Sequence, residues 1–325
     1  MRRRAQFKPA WWLPNSHLQT IWPSVCRPEI KNISLERERL ELPDGDFLDL
    51  DWSGKNLPGP IVLVLHGFEG SIESHYSKGM LQAINQRGWR GLFMHFRGCS
   101  GEPNRLPRGY HSGETDDVNF VVKTLLAREP DAEMAAIGYS LGGNMLLKWL
   151  GETGDKNPLK AAIAISVPFD LHKAYKKINS GFSRLYQWYL VKAARERLVH
   201  KFEIVKGPFD SFDAAELAGI GGIEELDLKY TVPVHGFSSV EEYYTTTSSR
   251  YYLHSIRVPT LLIQAKDDPF MTEDVIPAQY ELSKEVTLEV TETGGHVGFV
   301  SGKYPWRPEY WLEERAPEFL KKYLD

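Results

Sequence analysis

The sequence predicts an α/β protein with a mostly parallel central sheet, helices on both faces and a helical cap insert. Three observations carry that expectation. Short apolar runs alternate with longer helical patterns from residue 61 onward, the runs are apolar nearly throughout, and one long segment between two of them breaks the rhythm. A strand apolar at every position is buried on both faces, and strands that alternate with helices wind a parallel sheet through right-handed crossovers.

The expected strands are IVLVLH (61–66), GLFMHF (91–96), MAAIGY (134–139), AAIAIS (161–166), TLLIQA (260–265) and VTLEVTE (286–292). Helical spacing is read over 77–88, 115–128 and 141–151, with a last helix from about 308 to 323. Residues 30–52 alternate apolar and polar around Asp44-Gly45, the pattern of an antiparallel hairpin at the sheet edge. This divides the chain into an N-terminal extension (1–30), a core (31–167 and 256–325) and a helical insert (168–255). In the insert Phe182, Leu185, Tyr186, Tyr189, Leu190, Ala193 and Ala194 form one apolar stripe. Such a helix is expected to pack on the body by that face and can roof a pocket as well.

Composition excludes several classes of function. The chain has 325 residues, a net charge of -4 and charges mixed in sign, so no basic surface points to nucleic acid. Cys26 and Cys99 form neither a disulfide framework nor a CxxC motif, which makes a reducing cytoplasm the default location. The N-terminus has arginines but, interrupted by Pro9 and Pro14, lacks the apolar stretch of a signal peptide. No run approaches the ~18 apolar residues of a membrane span, so stable membrane insertion is not expected. His66 and His75 with Glu69 and Glu73 have no zinc-type spacing, and neither a metal nor a cofactor is expected. Oligomeric state stays open.

The strongest motif is Gly138-Tyr139-Ser140-Leu141-Gly142, a G-x-S-x-G sequence between an expected strand and an expected helix. A nucleophile there stands above the sheet at a helix N-terminus, where free N–H groups favour developing negative charge. A serine hydroxyl needs a base oriented by an acid, following in the order serine, acid, histidine. His296 is the one histidine after Asp268 and becomes the expected base. For the acid, Asp268 sits at the D of a G-x-x-D-like turn, while Asp267 beside it and Asp170 after an earlier strand are alternatives. Successive strand side chains point to opposite sides, so only one of Asp267 and Asp268 can face His296. The backbone N–H groups of Phe68, in the H-G-x-x-G loop HGFEGS, and of Leu141 are the expected oxyanion donors. His66 is expected to brace that loop. Arg97, Tyr110 and His111, in the long loop 96–117, either shape the pocket or order the loop.

Together NSHLQTIWP, HGFEGS, FRGCSGEPNR, YHSGETDD, GYSLGGN, GFSSVEEYYTTTSS, IRVPTLLIQAKDDPF and GGHVGF resemble the landmarks of the YheT-like branch of the α/β-hydrolases, which includes bacterial esterase-like proteins and eukaryotic phospholipase relatives. The resemblance implies the α/β-hydrolase fold and a triad of Ser140, Asp268 and His296, the second aspartate of the pair being the charge-relay member. It also implies hydrolysis of carboxylic esters, lipid-like esters included, through an acyl-enzyme. Thioesterase, amidase or acyltransferase chemistry would use the same residues. A binding protein that kept the scaffold, and a lipase working at a membrane surface through the aromatics of 182–190, are further alternatives.

Overall fold

A computed structural model describes residues 2–4, 6–205 and 214–325. Residues 206–213, within the insert expected at 168–255, lie outside the described residues. Nine strands form one sheet: β1 (Arg2–Arg4), β2 (Leu35–Glu41), β3 (Phe47–Ser53), β4 (Ile61–Leu65), β5 (Arg90–Met94), β6 (Met134–Tyr139), β7 (Ala161–Ile165), β8 (Thr260–Ala265) and β9 (Val286–Thr291), in the order β1-β9-β8-β7-β6-β4-β5-β3-β2. Within this sheet, among the described residues, only the hairpin β2–β3 and the pair β3–β5 are antiparallel. Gly45 turns the hairpin at φ +86°, a conformation that suits glycine.

The strands β4 to β8 are buried along their whole length. Their alternate residues feed two cores. Val62, Val64, Ile137 and Ile263 pack under the helices α2 (Ser77–Asn85) and α11 (Trp311–Leu324), and Leu63, Leu65, Ala136 and Leu262 pack under α3 (Asp116–Arg128) and α4 (Leu141–Thr153). This explains why these strands read as continuous apolar runs instead of alternating ones.

Three elements differ from the expectation. β1 adds a parallel edge strand on β9, and its three arginines carry no strand signal because an edge strand is held through its backbone. Helix α1 (Ser16–Cys26) starts where Asn15 Oδ1 accepts the Leu18 N–H. The terminal helix starts later than residue 308, because 300–304 (β10) and 307–310 (β11) first form a small antiparallel pair.

Between β7 and β8 the chain runs through α5 (Leu171–Ile178), α6 (Ser183–Ile204), α7 (Ala214–Gly219), α8 (Ile223–Leu226), α9 (Val232–His235) and α10 (Val240–Thr247). The packing face of α6 is a correction to the sequence reading. Its buried side chains are Ser183, Gln187, Val191, Ala194, Leu198 and Lys201; of the expected stripe Ala194 is buried, Tyr186 and Leu190 are half-buried against the same cluster, and Phe182, Leu185 and Tyr189 stay exposed. The polar members of this face bury because each finds a partner: Ser183 Oγ donates to Pro269 O (2.6 Å), Gln187 Nε2 to Asn179 Oδ1 (3.0 Å) and Lys201 Nζ to Arg108 O (2.5 Å).

Arg97 turns out to order the loop 96–117. Its guanidinium, 3% exposed, donates to both carboxylate oxygens of Asp117 (2.8 and 2.7 Å), to Asp44 (2.8 Å) and to Asp46 (3.1 Å). Replacing it with methionine strips the buried Asp117 of its paired cation, while Asp46 keeps its bonds from Asn104 Nδ2 and the Phe47 and Arg105 N–H groups. Arg97→Met should therefore lower unfolding free energy by about 3–5 kcal/mol in urea denaturation, and a cost below about 1 kcal/mol would contradict this assignment.

Candidate active site

β6 ends at Tyr139 and α4 begins at Leu141, so Ser140 alone makes the turn, with φ 49° and ψ -116°. A non-glycine residue in that region is strained by about 1–3 kcal/mol. The neighbouring glycines are required by space. A Cβ on Gly142 would lie 2.3 Å from His66 O, and one on Gly138 would lie 2.6 Å from Gly142 O. The Ser140 N–H is held by Ile165 O at 2.8 Å.

His296, in the loop after β9, lies with Nε2 3.0 Å from Ser140 Oγ and Nδ1 2.8 Å from Asp268 Oδ2. A carboxylate only accepts, so Nδ1 carries the proton and Nε2 is left to accept from the serine hydroxyl. Asp268 Oδ1 accepts the Phe270 N–H (2.8 Å), and the Phe270 ring stacks on the imidazole at 3.9 Å and 7°. Both Asp268 and His296 are buried. The neighbouring Asp267 is turned elsewhere, its Oδ1 accepting the Gly295 N–H at 3.0 Å. Burial, and after it the charge of Asp268, pushes the Asp267 carboxyl above its usual range. Asp170 accepts the Lys173 N–H and caps α5, so it lies outside this relay.

The loop that carries His296 is clamped by α1. Thr20 Oγ1 accepts the His296 N–H (2.9 Å), while Gln19 exchanges two hydrogen bonds with the Val300 backbone (2.8 and 3.0 Å). Ser166 Oγ accepts the Val297 N–H at 3.0 Å. The segment NSHLQTIWP thus has a physical role that its sequence alone did not disclose. Asn15 starts the helix, and Gln19 and Thr20 hold the loop.

Opposite the serine, the Phe68 and Leu141 N–H groups have no hydrogen-bond partner among the described residues, and both residues line the same cavity. The loop bearing Phe68 is tied on both sides. His66 Nε2 accepts the Phe96 N–H (3.0 Å) and Nδ1 donates to Gly67 O (2.7 Å), which fixes a neutral ring. Glu69, at φ 50°, donates its N–H to Tyr110 Oη (2.9 Å), receives the Tyr110 hydroxyl (2.7 Å) and is held by Arg197 Nε and Nη2 (2.9 Å each). Arg197, on α6, carries no motif, and sequence reasoning missed it. Tyr110 shapes the loop from outside the relay.

The cavity above Ser140 measures about 590 Å³, within the range of small-molecule sites. Its walls include Leu185, Tyr186, Tyr189, Leu190 and Ala193 of α6, so most of the apolar stripe faces this space. His66 and His75 are not a metal pair, His75 being bonded to Val297 O (3.2 Å) and Ser24 Oγ (3.2 Å). Elsewhere, one donor atom each of His111, Glu114 and His235 lie within 4.8 Å of one another. There Arg108 Nη2 donates to Glu114 at 2.6 Å and the Gly113 N–H donates to His111 Nδ1 at 3.2 Å.

A strained serine between a central strand and a helix, relayed through histidine to an aspartate, is the arrangement of a hydrolase-type α/β site. Residues 60–303 match the α/β-hydrolase fold family, and the chain belongs to it. It falls in the YheT-like branch: over 324 residues it is 43% identical to the YheT protein of Escherichia coli strain K12, across 99% of this chain and 94% of that one. It is 29% identical to the phospholipase ABHD3 of Bos taurus (98% of this chain, 79% of that one) and 30% identical to a monoacylglycerol lipase of Saccharomyces cerevisiae (82% and 60%). In fold it resembles the Pyrococcus furiosus esterase Pf2001, with a TM-score of 0.58 at 19% identity over 99% of this chain and 100% of that one. Among the described residues no helix is long and apolar enough to cross a membrane.

Burial pushes the His66 ring from its ordinary 6.5 down to about 3 and the His75 ring down to about 4. The unfolded chain therefore takes up these protons near pH 6.5 while the folded chain refuses them, so stability present above that pH is lost as pH falls toward 4. Urea midpoints should be lower at about pH 5 than at about pH 7, and His75→Gln should shrink the difference by on the order of 1 kcal/mol. An unchanged difference would mean that His75 is not held neutral.

Proposed function

We propose that this protein hydrolyses carboxylic esters with acyl chains of lipid-like character, through an acyl-enzyme on Ser140. The observation that carries the reading is the continuous relay from Ser140 Oγ through His296 to Asp268, opening on an apolar cavity. His296 takes the hydroxyl proton as Ser140 attacks the ester carbonyl. The Phe68 and Leu141 N–H groups receive the oxyanion, and His296 returns the proton to the departing alcohol. Water then enters by the same route and releases the acid. Asp268 keeps the imidazole in the reactive tautomer and stabilises its cation. The phospholipase and monoacylglycerol lipase names of the relatives support an acyl ester as substrate.

Initial rates on p-nitrophenyl esters of rising chain length, set beside the matching thioesters, test this. Ser140→Ala should lose activity by on the order of 10⁶, and Asp268→Asn by on the order of 10⁴, since the amide fixes the wrong tautomer. Asp267→Asn should cost far less. Retention of full activity by Ser140→Ala would sink the scheme, and a larger loss in Asp267→Asn than in Asp268→Asn would reverse the two acids.

The oxyanion loop gives a separate expectation. Arg197→Met frees Glu69 and loosens the Phe68 N–H, so kcat should fall by roughly ten- to a hundredfold while KM for a short ester changes little. A change confined to KM would place Arg197 in substrate binding instead.

A further inference from the structure

The outward face of α6 is built for a partner. Leu185, Trp188 and Tyr189 are 52%, 55% and 67% exposed, and all three also line the catalytic cavity, so this apolar patch is the rim of the cavity itself. Across the opening, α1 adds Val25, 74% exposed and likewise a lining residue. The two helices are joined at the rim by His17 Nδ1 and Tyr186 Oη, 2.9 Å apart. A continuous exposed patch of large apolar side chains marks an interaction surface.

Charge says what kind. Residues 171–204 contain eight lysines and arginines against two glutamates, in a chain whose net charge is -4. Arg197 and Lys201 are taken up inside the protein, and Lys173 pairs with Asp274 at 2.8 Å. Lys176, Lys177 and Arg184 pair with no carboxylate among the described residues, and Lys192 is only loosely placed 3.8 Å from Glu196. Arg184, Trp188 and Lys192 are four residues apart in turn and share one row of the helix, with the Lys192 ammonium 5.8 Å from the Trp188 ring. Leu185 and Tyr189 form the adjacent row. Cations interleaved with tryptophan, leucine and tyrosine on one helix face are the composition of a helix that lies in a lipid interface. A second copy of this chain on the same patch would bring its cations against these, which repel.

We propose that the rim formed by α6 and α1 docks on an anionic lipid surface. Leu185, Trp188, Tyr189 and Val25 enter the headgroup layer, and Lys176, Lys177, Arg184 and Lys192 pair with lipid phosphates. Docking stands on the surface alone and needs no turnover. If the ester-hydrolase reading also holds, the docked cavity opens onto acyl chains, and a lipid reaches Ser140 without crossing water.

Co-sedimentation of the full chain with phosphatidylcholine vesicles, with and without phosphatidylglycerol, tests the proposal. The protein should bind the phosphatidylglycerol vesicles preferentially, and added salt should weaken binding. Arg184→Gln with Lys192→Gln should reduce affinity roughly twentyfold, at about fivefold for each cation. That double variant touches neither the relay nor the cavity wall, so its turnover of a soluble short ester should stay at the parent level. Trp188→Ser should lose binding to both vesicle types while keeping its urea midpoint. No binding to phosphatidylglycerol vesicles, equal binding to both, or undiminished binding by the double variant would each overturn the proposal. So would self-association abolished by Trp188→Ser in a protein that binds no vesicles. Loss of soluble-ester activity in the parent protein would instead count against the catalytic reading and leave vesicle binding to be judged separately.

Discussion

The site depends on one close approach, the N-terminus of α4 against the backbone at the end of β4. Gly142 lies so near His66 O that no side chain fits between them, and Gly138 lies as close to Gly142. Strand and helix must touch there for Ser140 to stand up from the sheet. The same contact places the start of α4, with its Leu141 N–H, beside the loop that begins at His66 and carries Phe68. Ser140 and the expected oxyanion donors are therefore set by a single piece of packing, and they share its tolerances.

Such a turn is strained, and the strain is distributed. Besides Ser140, the non-glycine residues with positive φ among the described residues are Glu69, Ser166, Val297 and Phe299, and all of them belong to segments that meet at the site. Each is held by partners it does not choose alone: Glu69 by Tyr110 and Arg197, Val297 by the Ser166 hydroxyl, and Phe299 through its N–H to Gly294 O. Unfavourable backbone persists where surrounding bonds over-determine it. The histidine loop is the clearest case, since α1, Ser166 just after β7 and the Asp267 side chain all hold it.

What the sequence disclosed follows from which interactions leave a local trace. Strands buried on both faces leave continuous apolar runs, and the strand-turn-helix at Ser140 leaves its glycines, so the sheet and the serine were legible. The choice between Asp267 and Asp268 was half legible: strand alternation says that only one can face the histidine, and the family resemblance favoured Asp268. Contacts between distant segments leave no period. Arg197 to Glu69 spans 128 residues and Gln19 to Val300 spans 281, and nothing near any of these residues announces its partner. The edge strand β1 was hidden for another reason, since its pairing is made by backbone and is indifferent to side-chain type.

The rotation of α6 has the most to teach about the insert. Periodicity finds the apolar stripe correctly but assumes that apolar means packed, whereas this helix buries a face containing Ser183, Gln187 and Lys201 and turns its apolar stripe to a cavity. The buried polar groups help to fix its rotation, because each donates to an acceptor outside the helix. That rotation brings Arg197 onto Glu69 and Leu185, Tyr186 and Tyr189 over Ser140 at once. The helix that shapes the cavity wall is thus also the one that holds the loop bearing Phe68, and a substitution that turned α6 would alter cavity shape and loop geometry together.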